Sequence, residues 1–242
     1  MRTLIAIPVY NEEEHLDRVI GDVIRYSPEV LAIDDGSTDR SAEILDGYPF
    51  VEVHHHNTNE GYGQSLIDAF AIAIGRRFDW MVTLDADEQH DPAAIGLFLA
   101  EAARDDADVL SGSRYLPESL RRSPVPEERR SINVLVSAIL ARATPYRLTD
   151  AFCGFKAYRV SALGRLHLTE RGYAIPLQFW IQAARHGLRV REVPIQLVYV
   201  DPSRRFGGGL DDPRVRLRRY LAVLDGELAA WEAEKGASGG GR

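Results

Sequence analysis

Within its first 110 residues the chain alternates short apolar runs with stretches of helical periodicity, and no other feature limits the fold as much. Apolar runs of strand length lie at Thr3 to Val9, Val30 to Ile33, Phe50 to His54, Trp80 to Leu84 and Asp108 to Ser111. Between them, Leu16, Val19, Ile20, Val23 and Ile24 recur at helical spacing, as do Leu66, Ile67, Phe70, Ala71 and Ile74. Ser37 to Asp39 can cap a shorter helix that holds Ala42, Ile44 and Leu45. Pro92 opens a helix that runs to Arg104, at a position where its missing N–H costs nothing. Strands spaced by such helices predict an α/β fold, a parallel sheet covered by helices on both faces. Sheets of this kind bind ligands beyond the carboxyl ends of their strands, so the polar clusters after the first, second and fourth strands should converge on one cleft.

The second half is less regular. Leu116 to Glu128, with three prolines, reads as a loop, and Arg129 to Ala143 as a helix with Ile132, Leu135, Val136, Ile139 and Leu140 inward. A short strand over Phe155 to Tyr158, a helix over Pro176 to His186 and a strand over Arg189 to Val200 follow. Arg204 to Gly209 forms a glycine-rich basic loop, Pro213 to Glu234 a last helix, and residues 236–242 a flexible tail. With no internal repeat, residues 1–235 read as one composite domain, long enough to bury a full core.

Composition removes several classes. The single cysteine, Cys153, forms no internal disulfide and fits a reducing compartment. The opening segment lacks the shape of a secretory signal, and no apolar run reaches the roughly 18 residues a membrane span needs. A cytoplasmic location is therefore expected. Residues 1–110 carry 23 acidic and 7 basic side chains, the rest 13 and 22, a net of −16 against +9. The acidic front argues against a nucleic-acid partner, while the basic back fits a phosphate-rich substrate or an anionic membrane surface.

Asp85-Ala86-Asp87 closes the fourth apolar run, and period two lets both carboxylates point the same way, with Gln89 at the next matching position. Hard oxygen ligands in that pattern suit Mg²⁺ or Mn²⁺ bound together with substrate phosphates. Asp34 and Asp35 end the second run, where a carboxylate can accept from a nucleobase N–H or a ribose hydroxyl, or simply cap the Asp-Gly turn. After the first run, Tyr10 can stack on a base and Glu12 can receive a ribose hydroxyl, or Asn11-Glu12 can merely start a helix. His54-His55-His56 alternate faces on a strand, so all three cannot ligate one ion, and the run reads as a polar strand end. No histidine has a recognisable catalytic spacing to Cys153.

Four segments, Pro8-Val9-Tyr10-Asn11-Glu12, Asp34-Asp35-Gly36-Ser37, Asp85-Ala86-Asp87-Glu88-Gln89 and Gly112-Ser113-Arg114-Tyr115, occur in an order that resembles the inverting nucleotide-sugar glycosyltransferases of GT-A fold. The nearest subgroup is the dolichol-phosphate mannosyltransferase and polyprenyl-phosphate glycosyltransferase type, which Leu148 to Arg159 and Arg191 to Ile195 also resemble. The resemblance implies a Rossmann-like, mostly parallel sheet, with residues 1–115 as the nucleotide-sugar and metal half and residues 116–235 as the acceptor half. It implies that Pro8, Tyr10, Glu12, Asp34 and Asp35 hold the nucleoside of a GDP- or UDP-sugar, and that Asp85, Asp87 and Gln89 bind Mg²⁺ or Mn²⁺. Arg114, one of Arg129 or Arg130, and the loop at Arg204 would contact phosphates, with Asp87 and Arg114 central to catalysis.

A hydroxyl acceptor needs a carboxylate base, whereas a phosphate acceptor is already anionic. In the resembled family a glutamate often lies in the helix after a Gly-Tyr pair; here Gly172-Tyr173 is followed by Gln178, which takes no proton. That pattern favours a polyprenyl phosphate acceptor and peripheral contact with the inner face of a membrane. The alternatives are a soluble hydroxyl acceptor with Asp150 as base, or a nucleotide-sugar-binding protein without turnover. The basic helix after Pro213 reads either as a packing helix or as one lying on a membrane surface.

Overall fold

The computed structural model describes residues 1–27, 29–119, 126–196 and 209–239. Seven strands form one sheet: β1 (Thr3–Val9), β2 (Val30–Asp34), β3 (Val51–His55), β4 (Trp80–Thr83), β5 (Val109–Ser113), β6 (Lys156–Arg159) and β7 (Val190–Pro194). Their order is β3-β2-β1-β4-β6-β5-β7. All neighbours are parallel except β6, which runs antiparallel to both β4 and β5. The helices are α1 (Leu16–Val23), α2 (Ser41–Asp46), α3 (Tyr62–Gly75), α4 (Ala94–Ala102), α5 (Glu127–Ala143), α6 (Val160–Leu163), α7 (Ile175–Arg185) and α8 (Pro213–Gly239).

Alternation along β1 shows why both faces are covered. Leu4 and Ala6 join one buried cluster with Leu66 and Phe70 of α3 and Trp180 of α7. Ile5, Ile7 and Val9 join a second cluster with Leu16 and Ile20 of α1 and Phe98 of α4. A strand buried on both sides must be apolar throughout, which is how the run from Leu4 to Val9 reads.

The elements differ from the sequence reading mainly at their ends. Ile24, Ile74 and Leu135 are substantially exposed rather than inward. Ile24 falls on the C-cap of α1, past the last turn that packs on the sheet. β7 stops at Pro194, shorter than the alternating run that extends to Val200. The helix α8 continues through Gly239, so the expected tail begins with helical residues 236–239. It packs as a helix of the fold: Tyr220 and Leu224 are buried, and Glu227 accepts from Gln178 and Gln182 of α7. Among the described residues, no helix is long and apolar enough to cross a membrane.

Candidate active site

A cavity of about 610 Å³ lies where the ends of β1, β2 and β4 meet the loops of the second half. Pro8, Tyr10, Glu12, Asp35, Asp85, Asp87, Gln89, Arg114 and Arg129 all line it. The strand-end clusters therefore converge as topology requires.

The loops are tied to each other by backbone bonds. Asn11 adopts the left-handed conformation (φ 55°), which asparagine tolerates, and its Oδ1 accepts from the N–H groups of Thr38 and Asp39. The Glu12 N–H donates to Ser41 Oγ at 2.8 Å, which fixes the start of the loop against α2. Asp35 is buried, and its carboxylate accepts from the N–H groups of Glu60 (2.8 Å) and Gly61 (2.9 Å). Gly61 has φ +105°, and a Cβ there would stand 2.4 Å from the Arg171 carbonyl oxygen, so only glycine fits this wall.

Around the metal-type trio, Glu88 is also left-handed (φ 57°), and the turn brings the Gln89 N–H onto Asp87 Oδ1 at 3.1 Å. Glu88 itself points away, paired with Arg18 at 3.0 Å. The Tyr62 hydroxyl donates to Asp85 Oδ1 at 3.1 Å. Burial, then the Asp85 charge, pushes the Tyr62 phenol well above its ordinary range, so it stays a donor. His90 is buried 3.6 Å from Asp85 Oδ2, and burial holds it below the usual imidazole range, that is, neutral. On the other side lies Gly154: a Cβ there would stand 2.4 Å from Asp85 Oδ2. The absent side chain leaves room for the Asp85 carboxylate, which itself lines the cavity. Asp85, Asp87 and Gln89 all line the cavity, and two carboxylates with a neutral amide oxygen are donor types that suit Mg²⁺ or Mn²⁺.

Arg114 lines the cavity as half of a bidentate pair. Its Nε donates to Asp150 Oδ2 at 2.7 Å and its Nη2 to Oδ1 at 2.9 Å. Asp150 is fully buried; burial alone would raise its pKa, but the guanidinium outweighs this and holds the carboxyl below the usual range. Both oxygens are engaged, and Asp150 does not line the cavity. Its role as a base for a hydroxyl acceptor is thereby contradicted: it positions Arg114. Gln178 also faces elsewhere, with Oε1 accepting from the Thr169 and Glu170 N–H groups.

One further expectation changes, and others are narrowed or lie outside the described residues. Asp34 lies outside the cavity lining, because pleating turns adjacent residues to opposite sides; its carboxylate accepts from the Ser37 N–H at 3.0 Å and meets His55 Nδ1 at 2.8 Å. Of the two candidate arginines, Arg129 lines the cavity, while the Arg130 guanidinium sits 5.2 Å from the Tyr115 ring centroid. Arg204 lies outside the described residues. A histidine does approach Cys153, with His90 Nε2 at 3.7 Å from Sγ, but burial pushes the thiol up to about 12, leaving it a packing group.

Sequence reasoning passed over several lining residues. Arg216 of α8 is buried at the cavity, donating to the Leu210 carbonyl oxygen at 2.8 Å and paired with Glu128. It stood among Arg214, Arg218 and Arg219, and only helical phase separates it from them. Phe152 and Tyr220 carry no motif that places them at the cavity, and the importance of Gly154 depends on a contact 69 residues away in the chain.

Residues 4–166 match the family model described as Glycosyl transferase family 2. An undecaprenyl-phosphate mannosyltransferase of Micrococcus luteus is 33% identical over 96% of this chain and 97% of its own length. A polyprenol monophosphomannose synthase of Mycolicibacterium smegmatis is 30% identical over 80% of this chain and 76% of its own length. Among solved structures, glucosyl-3-phosphoglycerate synthase of Mycobacterium tuberculosis, in complex with Mn²⁺, UDP and glucosyl-3-phosphoglycerate, superposes with a TM-score of 0.74. That likeness covers 94% of this chain and 80% of the other at 16% identity, and it bears on the fold. With the GT-A sheet order, the converging strand ends and these matches together, the chain belongs to glycosyl transferase family 2 and is a glycosyltransferase.

Proposed function

We propose that this enzyme transfers a sugar from a nucleoside-diphosphate donor to a polyprenyl phosphate, with a divalent cation held by Asp85, Asp87 and Gln89. The observation that carries this reading is the division of the cavity wall. Its carboxylates, Glu12, Asp35, Asp85 and Asp87, all come from the first half of the chain. Among the described residues, the part of the chain after residue 110 contributes Arg114, Arg129 and Arg216 together with Phe152, Tyr173 and Tyr220, and no carboxylate. Arginines beside aromatic rings suit a phosphate headgroup carrying an apolar chain. The acceptor in the name of the Micrococcus relative, undecaprenyl phosphate, has the same chemistry.

When bound, Mg²⁺ or Mn²⁺ supplies Lewis-acid stabilisation of the charge that builds on the departing diphosphate. Pro8, Tyr10, Glu12 and Asp35 flank the nucleoside on the side of β1 and β2. An oxygen of the lipid phosphate attacks the anomeric carbon, and the bond from that carbon to the diphosphate oxygen breaks, its electron pair leaving on the diphosphate. The nucleophile is already ionised, so no side chain needs to remove a proton. Arg114, aligned by Asp150, and Arg129 lower the repulsion between the two anionic groups. A single displacement of this kind inverts the anomeric centre. The acceptor lies in a membrane, so the enzyme works at its surface.

Two measurements test the proposal. Adding a short-chain polyprenyl phosphate should accelerate release of the nucleoside diphosphate; stimulation by free sugars or small alcohols alone overturns the acceptor assignment. Asp87→Asn should abolish metal-dependent turnover while the chain stays folded, and full turnover in that variant would show the cation site to be misplaced.

A further inference from the structure

At the edge of the sheet, behind the cavity-lining residue Asp35, a second group of metal-type ligands has assembled. His54 and His56 lie two residues apart around the end of β3 and therefore share a face, while His55 turns to the other side onto Asp34. Asp68 of α3 completes the group: one ligand atom each of His54, His56 and Asp68 lies within 4.8 Å of the other two. The three-histidine run cannot close on one ion, but two of its members with a residue from the facing helix can.

The surroundings resemble the support a transition-metal site requires. His56 Nδ1 lies 2.7 Å from Asp35 Oδ1, which fixes the ring and leaves Nε2 aimed at Asp68 Oδ2, 3.0 Å away. The Gln64 amide donates to both Asp68 oxygens, at 3.1 and 3.0 Å. A carboxylate behind the histidine and a donor behind the carboxylate are the outer partners that hold metal ligands in place. His54 is exposed, so its ring can swing the remaining distance to the donor separation of about 3.4 Å that a tetrahedral ion with bonds of about 2.1 Å sets.

We infer that His54, His56 and Asp68 form a second metal site, selective for a borderline transition ion such as Zn²⁺ or Co²⁺ over Mg²⁺. Two imidazoles and one carboxylate favour those ions, whereas the all-oxygen set at Asp85 and Asp87 suits hard cations. Carboxylates only accept, so an imidazole bonded to both Asp35 and Asp68 carries two protons. The ion takes the place of the Nε2 proton, which goes to solvent, and the Nδ1–H stays on Asp35. The bonds from Asp35 to the Glu60 and Gly61 N–H groups are untouched, so the site loads without dismantling the cavity wall.

The test is a titration of the full-length protein with ZnCl₂ in excess Mg²⁺, repeated in buffers of different ionisation enthalpy. One zinc per chain with net proton release is expected, weakened about tenfold or more by His54→Ala and by Asp68→Asn. Zinc binding unchanged in both variants, or absent from the wild type, overturns the inference. A readout that needs no variant is the Co²⁺-loaded wild type. Its visible spectrum should be tetrahedral and the His54 and His56 ring protons selectively broadened; broadening confined to the neighbourhood of His90 overturns the assignment. Neither readout uses turnover, so the outcome is independent of the acceptor proposal.

Discussion

Replacing Gly154 with alanine adds one methyl group in the place where the structure leaves no room for it. The new Cβ stands 2.4 Å from Asp85 Oδ2 and 2.7 Å from Oδ1, and ordinary contact begins near 3.4 Å. The carboxylate must therefore retreat by about 1 Å, a displacement that in a catalytic site costs about 10²-fold. Two contacts hinder that retreat: the Tyr62 hydroxyl on Oδ1 and the buried His90 ring on the Oδ2 side. A hundredfold loss corresponds to about 2.7 kcal/mol of barrier.

The fold should suffer less. Gly154 is not among the left-handed glycines, so alanine is backbone-compatible and restricts the unfolded chain by about 0.4–1 kcal/mol in favour of folding. Overpacking opposes this by about 1–3 kcal/mol. The assay is the initial rate of nucleoside diphosphate release across a Mn²⁺ series, with the folded fraction checked by thermal melting. Turnover should fall about 10²-fold and the metal half-saturation should rise. Gly164→Ala, whose Cβ meets nothing within 4 Å, is the control and should match the wild type. Wild-type turnover and wild-type metal affinity in Gly154→Ala would refute the idea that this space sets the Asp85 carboxylate.

Three more outcomes are expected. Asp150→Asn strips the carboxylate from a mostly buried guanidinium and should cost about 3 kcal/mol in urea unfolding, with wild-type stability as the contrary result. Because the Asp150 pKa is lowered on folding, its contribution is complete above about pH 4 and lost as pH falls through the folded value, so the gap between wild type and variant should narrow in acid. His56 has the opposite sign: burial opposes its charge, but Asp35 and Asp68 win and raise its pKa, so its contribution is complete below about pH 6.5 and lost as pH rises through the raised value. Unfolding of wild type and His56→Gln in chelator should converge toward alkaline pH, and a gap that does not change with pH would refute the ion-pair account. Arg129→Ala should slow acceptor-stimulated transfer about 10-fold or more, while Arg130→Ala stays near wild type; equal losses would show that the cavity wall does not discriminate between them.

What could be read in the sequence was whatever is local. The run from Leu4 to Val9 has to be a strand buried on both faces, and Asp85-Ala86-Asp87 at the end of such a strand has to sit at a carboxyl edge. What could not be read was phase and partnership. Asp34 and Asp35 are adjacent, and only the pleat decides that Asp35 faces the cavity; Arg129 and Arg130 pose the same problem on a helix. Asp150 offered itself as a base because its guanidinium partner is 36 residues away, and no local pattern announces a buried pair at that distance. The reversed β6 has the same origin: strand length is written in the apolar run, while direction depends on where the preceding helix returns the chain.

The charge asymmetry of the chain takes on meaning only once folded. In the proposed reaction, a diphosphate has to enter between a wall of carboxylates and a wall of arginines, and the arginines come already attended by acids: Asp150 for Arg114 and Glu128 for Arg216. A guanidinium whose charge is shared with an acidic partner is held in place before substrate arrives, so less order has to be created on binding. It also holds phosphate less tightly than an unpaired one, which suits a site that has to release one anion after joining another. The carboxylate wall offers a diphosphate nothing by itself. Around Asp85 the neighbours are a neutral phenol and a neutral imidazole rather than a cation, so its negative charge stays available for a divalent ion. Acid neutralised by a removable metal on one side, and arginine moderated by permanent partners on the other, is a division of labour that lets the two anionic reactants approach each other without a proton acceptor between them.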